Sequence, residues 1–258
     1  MQPPSRHVSL FALSPFPLVD SGDDLAEMSL QALAAQHIEV LDGDILVYAQ
    51  KIVSKVEARR RRLADVIPSN EAKALAITVR KDARLVELIL GESQEIVRAV
   101  PDILVVRHRL GFVLANAGID ASNVGSPDGD EHVLLLPENP DASAVRLLTA
   151  LASATNRRLA VIINDSFGRA WRIGTTGTAI GVAGISPVAD LRGTRDLFGR
   201  QLQSTEVGLA DEIAAAASLI QGQSSEGTPV VLVRGLEWRA ANGGATALVR
   251  SRQMDLFR

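Results

Sequence analysis

Short apolar runs alternate with helix-forming stretches along the whole chain. Two neighbouring apolar runs, residues 103–107 and 112–115, flank a Leu110-Gly111 turn and so predict a hairpin. Because strands interleave with helices but also form hairpins, the sequence predicts an α+β fold with mixed β-sheets and flanking helices. The other predicted strands are residues 8–13, 45–49, 132–136, 159–163 and 229–233, and the predicted helices are 25–35, a segment opening at Ser69, 82–90, 141–155 and 207–219.

The composition excludes several classes of protein. The 258 residues include no cysteine, which excludes disulfides, thiolate metal sites and a cysteine nucleophile. A formal net charge of −3 argues against a general nucleic-acid binder, and no apolar run reaches the length of a membrane span. We therefore expect a cytoplasmic protein with no nucleic-acid or membrane partner. We expect one domain over residues 1–258, with a division into two subdomains of unassigned boundary as the alternative. The clearest loop signal is the run 126–130.

Lysine is scarce, and its placement is informative. Four of the 27 cationic residues are lysines, and two of these, Lys51 and Lys55, follow the predicted strand 45–49 directly. A lysine at a strand end can act as a point charge for phosphate. The alternative is an edge strand that lysines protect from pairing. The basic run 59–62 that comes next lacks interleaved aromatic residues, so we interpret it as a solvated face.

A first acidic candidate lies in the glycine-containing loop 117–123. Asp120 in this loop is placed to hold a hard cation, and Asn123 could contact the polar edge of a ligand. An ordinary Asx turn is the alternative interpretation of the same residues.

A second acidic candidate comes directly after the predicted strand 159–163. Asp165 and Ser166 offer a carboxylate and a hydroxyl, which are oxygen ligands suited to Mg²⁺. Arg169 and Arg172 follow, and their guanidinium groups could neutralise anionic oxygens or pair with the aspartate. The density of polar and glycine residues after a buried strand favours a functional site.

Two further runs are rich in glycine and small polar residues. In the run 174–178, small side chains would let backbone N–H groups approach a ligand closely. The run 221–228 offers carbonyl and hydroxyl ligands between a helix and the last strand, although such composition is also typical of a connector. The common phosphate-loop, dinucleotide, nucleophile-elbow and paired-histidine zinc motifs are absent from the sequence.

Taken together, these segments resemble the coenzyme F420-0:L-glutamate ligase family, the γ-glutamyl ligases of F420 biosynthesis. The resemblance covers nearly the whole chain, and the order and spacing of the motifs make it specific. The motifs are Gly22-Asp23-Asp24-Leu25, Gly43-Asp44, Val53-Ser54-Lys55, Ala117-Gly118-Ile119-Asp120, Ser122-Asn123, Leu136-Pro137, Pro140-Asp141-Ala142-Ser143, Asp165, Gly168-Arg169-Ala170-Trp171-Arg172, Ala210-Asp211-Glu212-Ile213-Ala214 and Val233-Arg234-Gly235.

The resemblance implies a GTP-dependent ligase that joins L-glutamate to coenzyme F420-0 and then adds further γ-linked glutamate, working as an intertwined homodimer. It also implies two Mg²⁺ or Mn²⁺ ions per subunit, with K⁺ as a monovalent cation. Asp120 and Asp165 match metal ligands of the family, and Ser166 and Gln223 match ligands of a second metal. The positions that match guanine-nucleotide contacts are Phe16, Pro17, Leu18, Val19, Gln50, Lys51, Lys55, Asn123, Gln221, Gly222, Gln223, Ser224, Ser225, Glu226, Gly227 and Thr228.

The chemistry of these residues fits that reaction. Amide formation from a carboxylate needs an activated acyl group, and phosphoryl transfer from GTP would supply one as an acyl phosphate. Because phosphoryl transfer relies on positioning and charge neutralisation, we expect Lys55 and one of Arg169 or Arg172 to provide fixed positive charge in catalysis. Two alternatives remain open: a related nucleotide-dependent amino-acid ligase with a different acceptor, and a nucleotide-binding protein without turnover.

Overall fold

The computed structural model describes residues 7–124 and 129–255. In these ranges the strands are β1 Ser9–Ala12, β2 Ile45–Ala49, β3 Arg60–Arg62, β4 Ser93–Val100, β5 Ile103–His108, β6 Val113–Ala115, β7 His132–Leu134, β8 Ala160–Arg169, β9 Arg172–Ala183, β10 Ala189–Asp190, β11 Glu206–Val207 and β12 Val230–Arg234. The helices are α1 Leu25–Ala35, α2 Gln50–Val56, α3 Asn70–Val79, α4 Ala83–Gly91, α5 Pro140–Thr155 and α6 Leu209–Gln221. The predicted α+β class with mixed sheets is confirmed. The run 126–130, predicted as a loop, lies largely outside the described residues.

A five-stranded mixed sheet forms the centre of the fold, in the order β1-β12-β2-β8-β9. Strands β2 and β8 are parallel, whereas the other neighbouring pairs are antiparallel. Strands β2 and β12 are apolar at successive positions because helices cover both faces of the sheet. Helices α1 and α5 pack on one face, and α6 packs on the other. Among the described helices, none is long and apolar enough to cross a membrane.

The parallel pair β2–β8 determines where polar side chains gather. Ala49, the last residue of β2, pairs with Asn164 in β8, so Gln50 and Asp165 follow at the same edge of the sheet. In proteins with parallel strands, ligands commonly bind just beyond the carboxyl ends of those strands. Helix α2 begins directly after β2, which lies between β12 and β8. The interpretation of the lysine segment as a protected edge strand is therefore wrong.

Strands β8 and β9 form one long hairpin that extends beyond the predicted strand 159–163. The hydrogen-bonded register runs from Val161, which pairs with Ala183, to Arg169, which pairs with Arg172. The run 174–178 therefore lies within β9, where residues 175–178 pair with residues 165–168 of β8. The apolar pattern ended early because the hairpin leaves the core beyond Phe167 and loses its buried positions.

Strand β9 forms one edge of the central sheet, and two aspartates bind its exposed backbone. Asp141 accepts a hydrogen bond from the Val182 N–H, and Asp211 accepts one from the Ala179 N–H, each at 2.9 Å. These side chains cover an edge that would otherwise be open to pairing. Asp141 lies in the first turn of α5, whereas Asn139 is the residue that caps this helix.

A smaller unit packs beside the central sheet. Strands β4, β5 and β6 form an antiparallel sheet against α3 and α4, and the predicted hairpin 103–107/112–115 is confirmed as β5–β6. The basic run 59–62 is only partly a solvated face. Arg59 is largely buried and donates to Glu92 at 2.8 Å, and the next three arginines form β3, which pairs with β7. This part of the interpretation was wrong because the run adds a strand to the fold.

Candidate active site

A cavity of about 970 Å³ opens at the carboxyl end of β2, beside the middle of β8. Its wall combines the segment before α1, helix α2 from its start, the loop after β6, the middle of β8 and the loop after α6. The residues predicted from the sequence that line it are Phe16, Pro17, Leu18, Val19, Gln50, Lys51, Lys55, Asp120, Asn123, Asp165, Ser166, Gln221, Gly222, Gln223, Ser224, Ser225, Glu226, Gly227 and Thr228. Five separate parts of the chain that the sequence singled out therefore meet at one place.

The Asp120 carboxylate is held by the first turn of α2. The Gln50 side-chain amide donates to Asp120 Oδ2 at 2.9 Å, and the Lys51 ammonium lies 3.4 Å from Oδ1. The backbone of Asp120 pairs with Leu134 in both directions, which fixes the loop against β7. Burial raises the pKa of Asp120, and the neighbouring Lys51 opposes that rise. The carboxylate is thus desolvated, and a cation already lies beside it.

Asp165 lies near Asp120 and Lys51, and within the described residues it forms no ion pair of its own. Its Oδ1 accepts the backbone N–H of Ser166 at 2.7 Å. Burial, together with the negative charge of Asp120, raises the pKa of Asp165 to about 7. Two carboxylates that share a buried site repel each other unless a proton or a cation lies between them. The pair is therefore suited to bind a divalent cation.

A second set of oxygen donors lies beside this carboxylate pair. The Ser166 hydroxyl donates to the Gln223 side-chain oxygen at 2.7 Å. The loop that carries Gln223 is fastened across the cavity, because the Asn123 amide donates to the Ser224 carbonyl at 2.9 Å. A hydroxyl oxygen and an amide oxygen are thus held together within reach of one ligand.

The two lysines of α2 both point to the cavity. Lys51 donates to the Ser122 hydroxyl at 2.9 Å in addition to its contact with Asp120. Lys55 is half-buried, and its pKa is lowered by burial first and then by the positive charges of Arg60 and Lys51. Lys55 thus lies among other positive charges at this side of the cavity, which disfavour its own charged form. A phosphate group would supply the missing negative charge.

Two predicted nucleotide contacts have other bonding partners in the structure. Gln50 is 1% exposed, and its side chain is bonded to Asp120 and to the Ser54 hydroxyl. Gln221 is 8% exposed, donates to the Val47 and Pro229 carbonyls, and accepts from the Asn164 amide at 2.6 Å. Both residues lie in the wall of the cavity and hold neighbouring segments in place.

The two predicted catalytic arginines are not brought to this cavity within one chain. Arg169 and Arg172 face each other at the tip of the β8–β9 hairpin and are exposed. Because β8 continues as an extended strand, Arg169 lies roughly 13 Å along the strand from Asp165. Neither arginine is part of the cavity wall. The expectation that they neutralise charge beside Lys55 is therefore wrong for a single subunit.

Asn164 and Arg60 are among the residues of the cavity wall that sequence reasoning missed. Asn164 is buried, donates to Ser218 and Gln221, and accepts from the Thr178 N–H, so it fixes the strand just before Asp165. Arg60 adds a third cation to the wall and lies 3.4 Å from Asp20. The pairing of Ala49 with Asn164 identifies the first of these, but that register is visible only in the folded sheet.

The donor set restricts which metals fit. Within the described residues, no group of three or more His, Cys, Asp or Glu side chains could hold a metal ion. The cavity instead offers two carboxylates, one hydroxyl and one amide oxygen. Mg²⁺ is commonly held by one or two carboxylates, with substrate phosphates and water completing its shell. The residues present therefore fit a hard divalent cation that binds together with a phosphate-bearing substrate.

Comparison with known proteins identifies the family of this chain. The sequence model of the family F420-0:Gamma-glutamyl ligase matches residues 15–235. The Coenzyme F420:L-glutamate ligase of Methanothermobacter thermautotrophicus is 49% identical over 97% of this chain and 99% of its own length. The proteins of the same name from Methanopyrus kandleri and Archaeoglobus fulgidus are 45% and 41% identical, over 95% and 97% of this chain and 97% and 96% of their own lengths. By model and by relatives alike, the chain belongs to the F420-0:γ-glutamyl ligase family.

Proposed function

We propose that this protein is a ligase of coenzyme F420 biosynthesis that joins L-glutamate to F420-0, with GTP as the source of energy, and then adds further γ-linked glutamate. The observation that carries the proposal is the meeting of Asp120, Asp165, Lys51 and Lys55 at one edge of a cavity of about 970 Å³. The relatives supply the substrate class, because each is named for ligation of L-glutamate to coenzyme F420.

The proposal places divalent cations at the carboxylates of Asp120 and Asp165. Asp120 and Asp165 would hold one Mg²⁺ or Mn²⁺, and Ser166 and Gln223 would contribute to a second. Such ions supply charge neutralisation at the attacking and leaving oxygens of phosphoryl transfer. The Lys51 ammonium, 3.4 Å from Asp120, marks a position beside the carboxylate where positive charge is already accommodated. A K⁺ requirement is part of the proposal and is tested by exchanging K⁺ for Na⁺ in the assay.

The lysines and two loops would bind GTP. Lys51 and Lys55 would act as point charges on the phosphates, a role that suits a compact ammonium group. The segment Phe16 to Val19 and the loop Gln221 to Thr228 flank them in the cavity wall and would enclose the base and ribose. Gln50 would hold Asp120 in position, since its amide is already bonded to that carboxylate at 2.9 Å.

The reaction then proceeds in two displacements. A carboxylate oxygen of the acceptor attacks the γ-phosphorus of GTP, and the bond from that phosphorus to the β-phosphate oxygen breaks, which releases GDP. The neutral amine of L-glutamate attacks the acyl carbon, phosphate leaves, and the amine loses a proton. Lys55 would stabilise the negative charge on the transferred phosphoryl group during the first step, because preorganised charge costs no rearrangement at the moment of reaction.

We further propose that the protein works as a homodimer. Trp171 and Ile173 at the hairpin tip are 91% and 101% exposed, and Leu197 and Phe198 in the loop between β10 and β11 are 98% and 94% exposed. Large apolar side chains grouped on a surface mark interaction sites. A second copy would cover them and would give the hairpin arginines Arg169 and Arg172 a position against a partner. Sedimentation velocity tests this, and a strictly monomeric protein would contradict it.

The function is tested by the mass of the product. Incubation with F420-0, GTP, L-glutamate and Mn²⁺ should give GDP and a product heavier by one or more glutamyl units. Parallel reactions with other carboxylate acceptors separate this function from a ligase with a different acceptor. Tight GTP binding without GDP release for any acceptor would indicate a nucleotide-binding protein without turnover, and would overturn the proposal.

A further inference from the structure

A second cavity, of about 260 Å³, lies at the edge of β9 beside Asp211. Residues of β5, β6, β8, β9 and α6 and the segment from Leu248 onward form its wall. Three arginines and two aspartates line it: Arg107, Arg250, Arg252, Asp211 and Asp255. This volume is below the roughly 300 Å³ at which sites for drug-sized ligands begin, so the cavity suits a molecule much smaller than a nucleotide.

Arg107 is the residue of this cavity that most clearly lacks a partner. Its Nε is buried, and no hydrogen-bond acceptor for it exists in the described ranges 7–124 and 129–255. A buried guanidinium N–H that is not bonded carries a desolvation cost, and such groups in native structures call for an explanation. An arginine at a cavity wall obtains its strongest partner from a carboxylate, which it binds through two parallel hydrogen bonds.

The charge of the cavity wall matches a dicarboxylic amino acid. Arg252 already pairs with Glu95 at 3.6 Å, whereas Arg107 and Arg250 form no ion pair among the described residues. L-Glutamate carries two carboxylates, one for each of these two arginines, and one ammonium group. An amino acid of this kind also needs both signs in its site, because its ammonium group requires an acceptor while its carboxylates require donors.

The cavity lies on the same strands as the candidate active site. Thr178, which lines the second cavity, pairs directly with Asp165 across the hairpin, and Phe167 lies two residues beyond Asp165 on the same face. Two residues along a strand correspond to roughly 7 Å. A small molecule in the second cavity therefore lies close to the place where the acceptor carboxylate would be activated.

We propose that the second cavity binds the incoming L-glutamate, with one of its carboxylates on Arg107. This proposal rests on the proposed function, because it assigns a place to one substrate of that reaction. The amine of the bound glutamate would be directed along β8 towards Asp165, and Arg107 would be a binding residue for the amino acid with no role in nucleotide binding.

The test is the Arg107→Gln variant, with Arg98→Gln as its control. Arg98 lies on β4 of the same small sheet and is exposed, so the control makes the same change of charge away from the cavity. We expect Arg107→Gln to raise the KM for L-glutamate roughly tenfold or more, with the KM values for GTP and F420-0 within about twofold of wild type. Arg107→Lys should recover part of the loss, and Arg98→Gln should behave as wild type.

A direct binding measurement and a second variant provide further tests of the proposal. Equilibrium dialysis with labelled L-glutamate, in the presence of GTP and Mn²⁺, measures binding without turnover, and it should be weakened in Arg107→Gln alone. If that variant does not fold, Val113→Trp narrows the cavity from a half-exposed strand position and should raise the same KM. An unchanged KM for L-glutamate, or a raised KM for F420-0 alone, would overturn the proposal. A wild-type protein that forms no product would instead contradict the proposed function, and dialysis would still test the cavity.

Discussion

Two desolvated carboxylates in this fold, Glu92 and Asp165, have opposite surroundings. Glu92 accepts from Arg59 at 2.8 Å and Arg109 at 2.9 Å, and His108 Nε2 lies 3.3 Å away. Burial raises the pKa of Glu92, but the hydrogen bonds from His108 and Arg109 and the charge of Arg59 outweigh it and lower the pKa to about 2. Burial and the charge of Asp120 instead raise the pKa of Asp165 to about 7.

The opposite pKa shifts of these two carboxylates indicate a structural role for Glu92 and a functional role for Asp165. Glu92 has all of its charge balanced by side chains that the fold supplies, so its cluster joins α4, β5 and the segment before β3. Asp165 faces another carboxylate at a cavity wall, and the fold leaves the balancing charge to a ligand. Carboxylates whose environment shifts the pKa upward at a cavity are the ones expected at functional sites.

The largest expected effect comes from removing the carboxylate charge at the cavity. Asp165→Asn should lower metal-dependent turnover by about a thousandfold, because the carboxylate pair would lose half of its charge towards the cation. The melting temperature should stay at the wild-type value or rise, since the repulsion with Asp120 is relieved. Steady-state kinetics and thermal unfolding measure the two effects.

The matched control for this variant is Asp102→Asn, at an exposed position beside Arg80. It makes the same chemical change away from the cavity and should leave turnover unchanged. Wild-type turnover in Asp165→Asn would remove this residue from the site.

The second largest effect is expected in the Glu92 cluster, where loss of the carboxylate charge should lower stability and leave the active site intact. Glu92→Gln should destabilise the fold by about 3 kcal/mol at neutral pH, since the pKa falls from 4.5 to about 2 on folding. A lowered pKa stabilises the folded state above the unfolded-state value of about 4.5. The difference from wild type should therefore shrink as the pH falls below 4.5 and vanish near pH 2.

Urea unfolding across this pH range measures the effect. Glu237→Gln, at an exposed position, is the control and should stay within about 0.5 kcal/mol of wild type. A stability difference that does not depend on pH would show that the charge of Glu92 is not what holds the cluster together. The folded variant should keep its affinity for GTP.

A smaller effect is expected from Gln50, which connects α2 to the carboxylate pair. Gln50→Met keeps the length of the side chain but removes the amide that donates to Asp120 at 2.9 Å. Loss of a residue that orients a metal ligand typically weakens metal binding about tenfold or more. Mn²⁺ titration measures this, and Gln31→Met on the exposed face of α1 is the control. Unchanged Mn²⁺ affinity would contradict this role and would favour the earlier prediction that Gln50 contacts the nucleotide.

The smallest effect is expected from Lys55→Arg, which keeps the charge and changes its shape. A compact ammonium group and a planar guanidinium group are not interchangeable at a confined phosphate, so we expect the KM for GTP to rise roughly fivefold. Lys73→Arg, at an exposed position of α3, should have no effect. An unaltered GTP affinity in Lys55→Arg would mean that the scarcity of lysine reflects composition alone.

The sequence predicts the parts of this fold that depend on local chemistry. Helix α1 begins and ends at the predicted residues, because Asp24 caps it through two backbone N–H groups. Strand β2 was also predicted at its observed bounds, because its apolar run is buried on both faces. The candidate cavity was foreseeable in outline, since its residues follow strand ends that meet at one edge.

The remaining features depend on contacts between distant segments. Asp141 resembles a helix cap in the sequence, but it binds the edge of β9 through the N–H of Val182. The position of Arg169 follows from the length of β8, which the pairing with β9 determines. The second cavity combines Arg107 with residues more than a hundred positions later in the chain, and no local pattern indicates it.

The comparison between the two clusters is tested most directly by metal binding. Mn²⁺ titration in the presence of GTP, followed by electron paramagnetic resonance, should show bound Mn²⁺ in wild type and in the folded Glu92→Gln variant. Asp165→Asn should lose at least one of these ions. Full Mn²⁺ binding by Asp165→Asn, or its loss in folded Glu92→Gln, would contradict the account that the carboxylate pair at the cavity holds the metal.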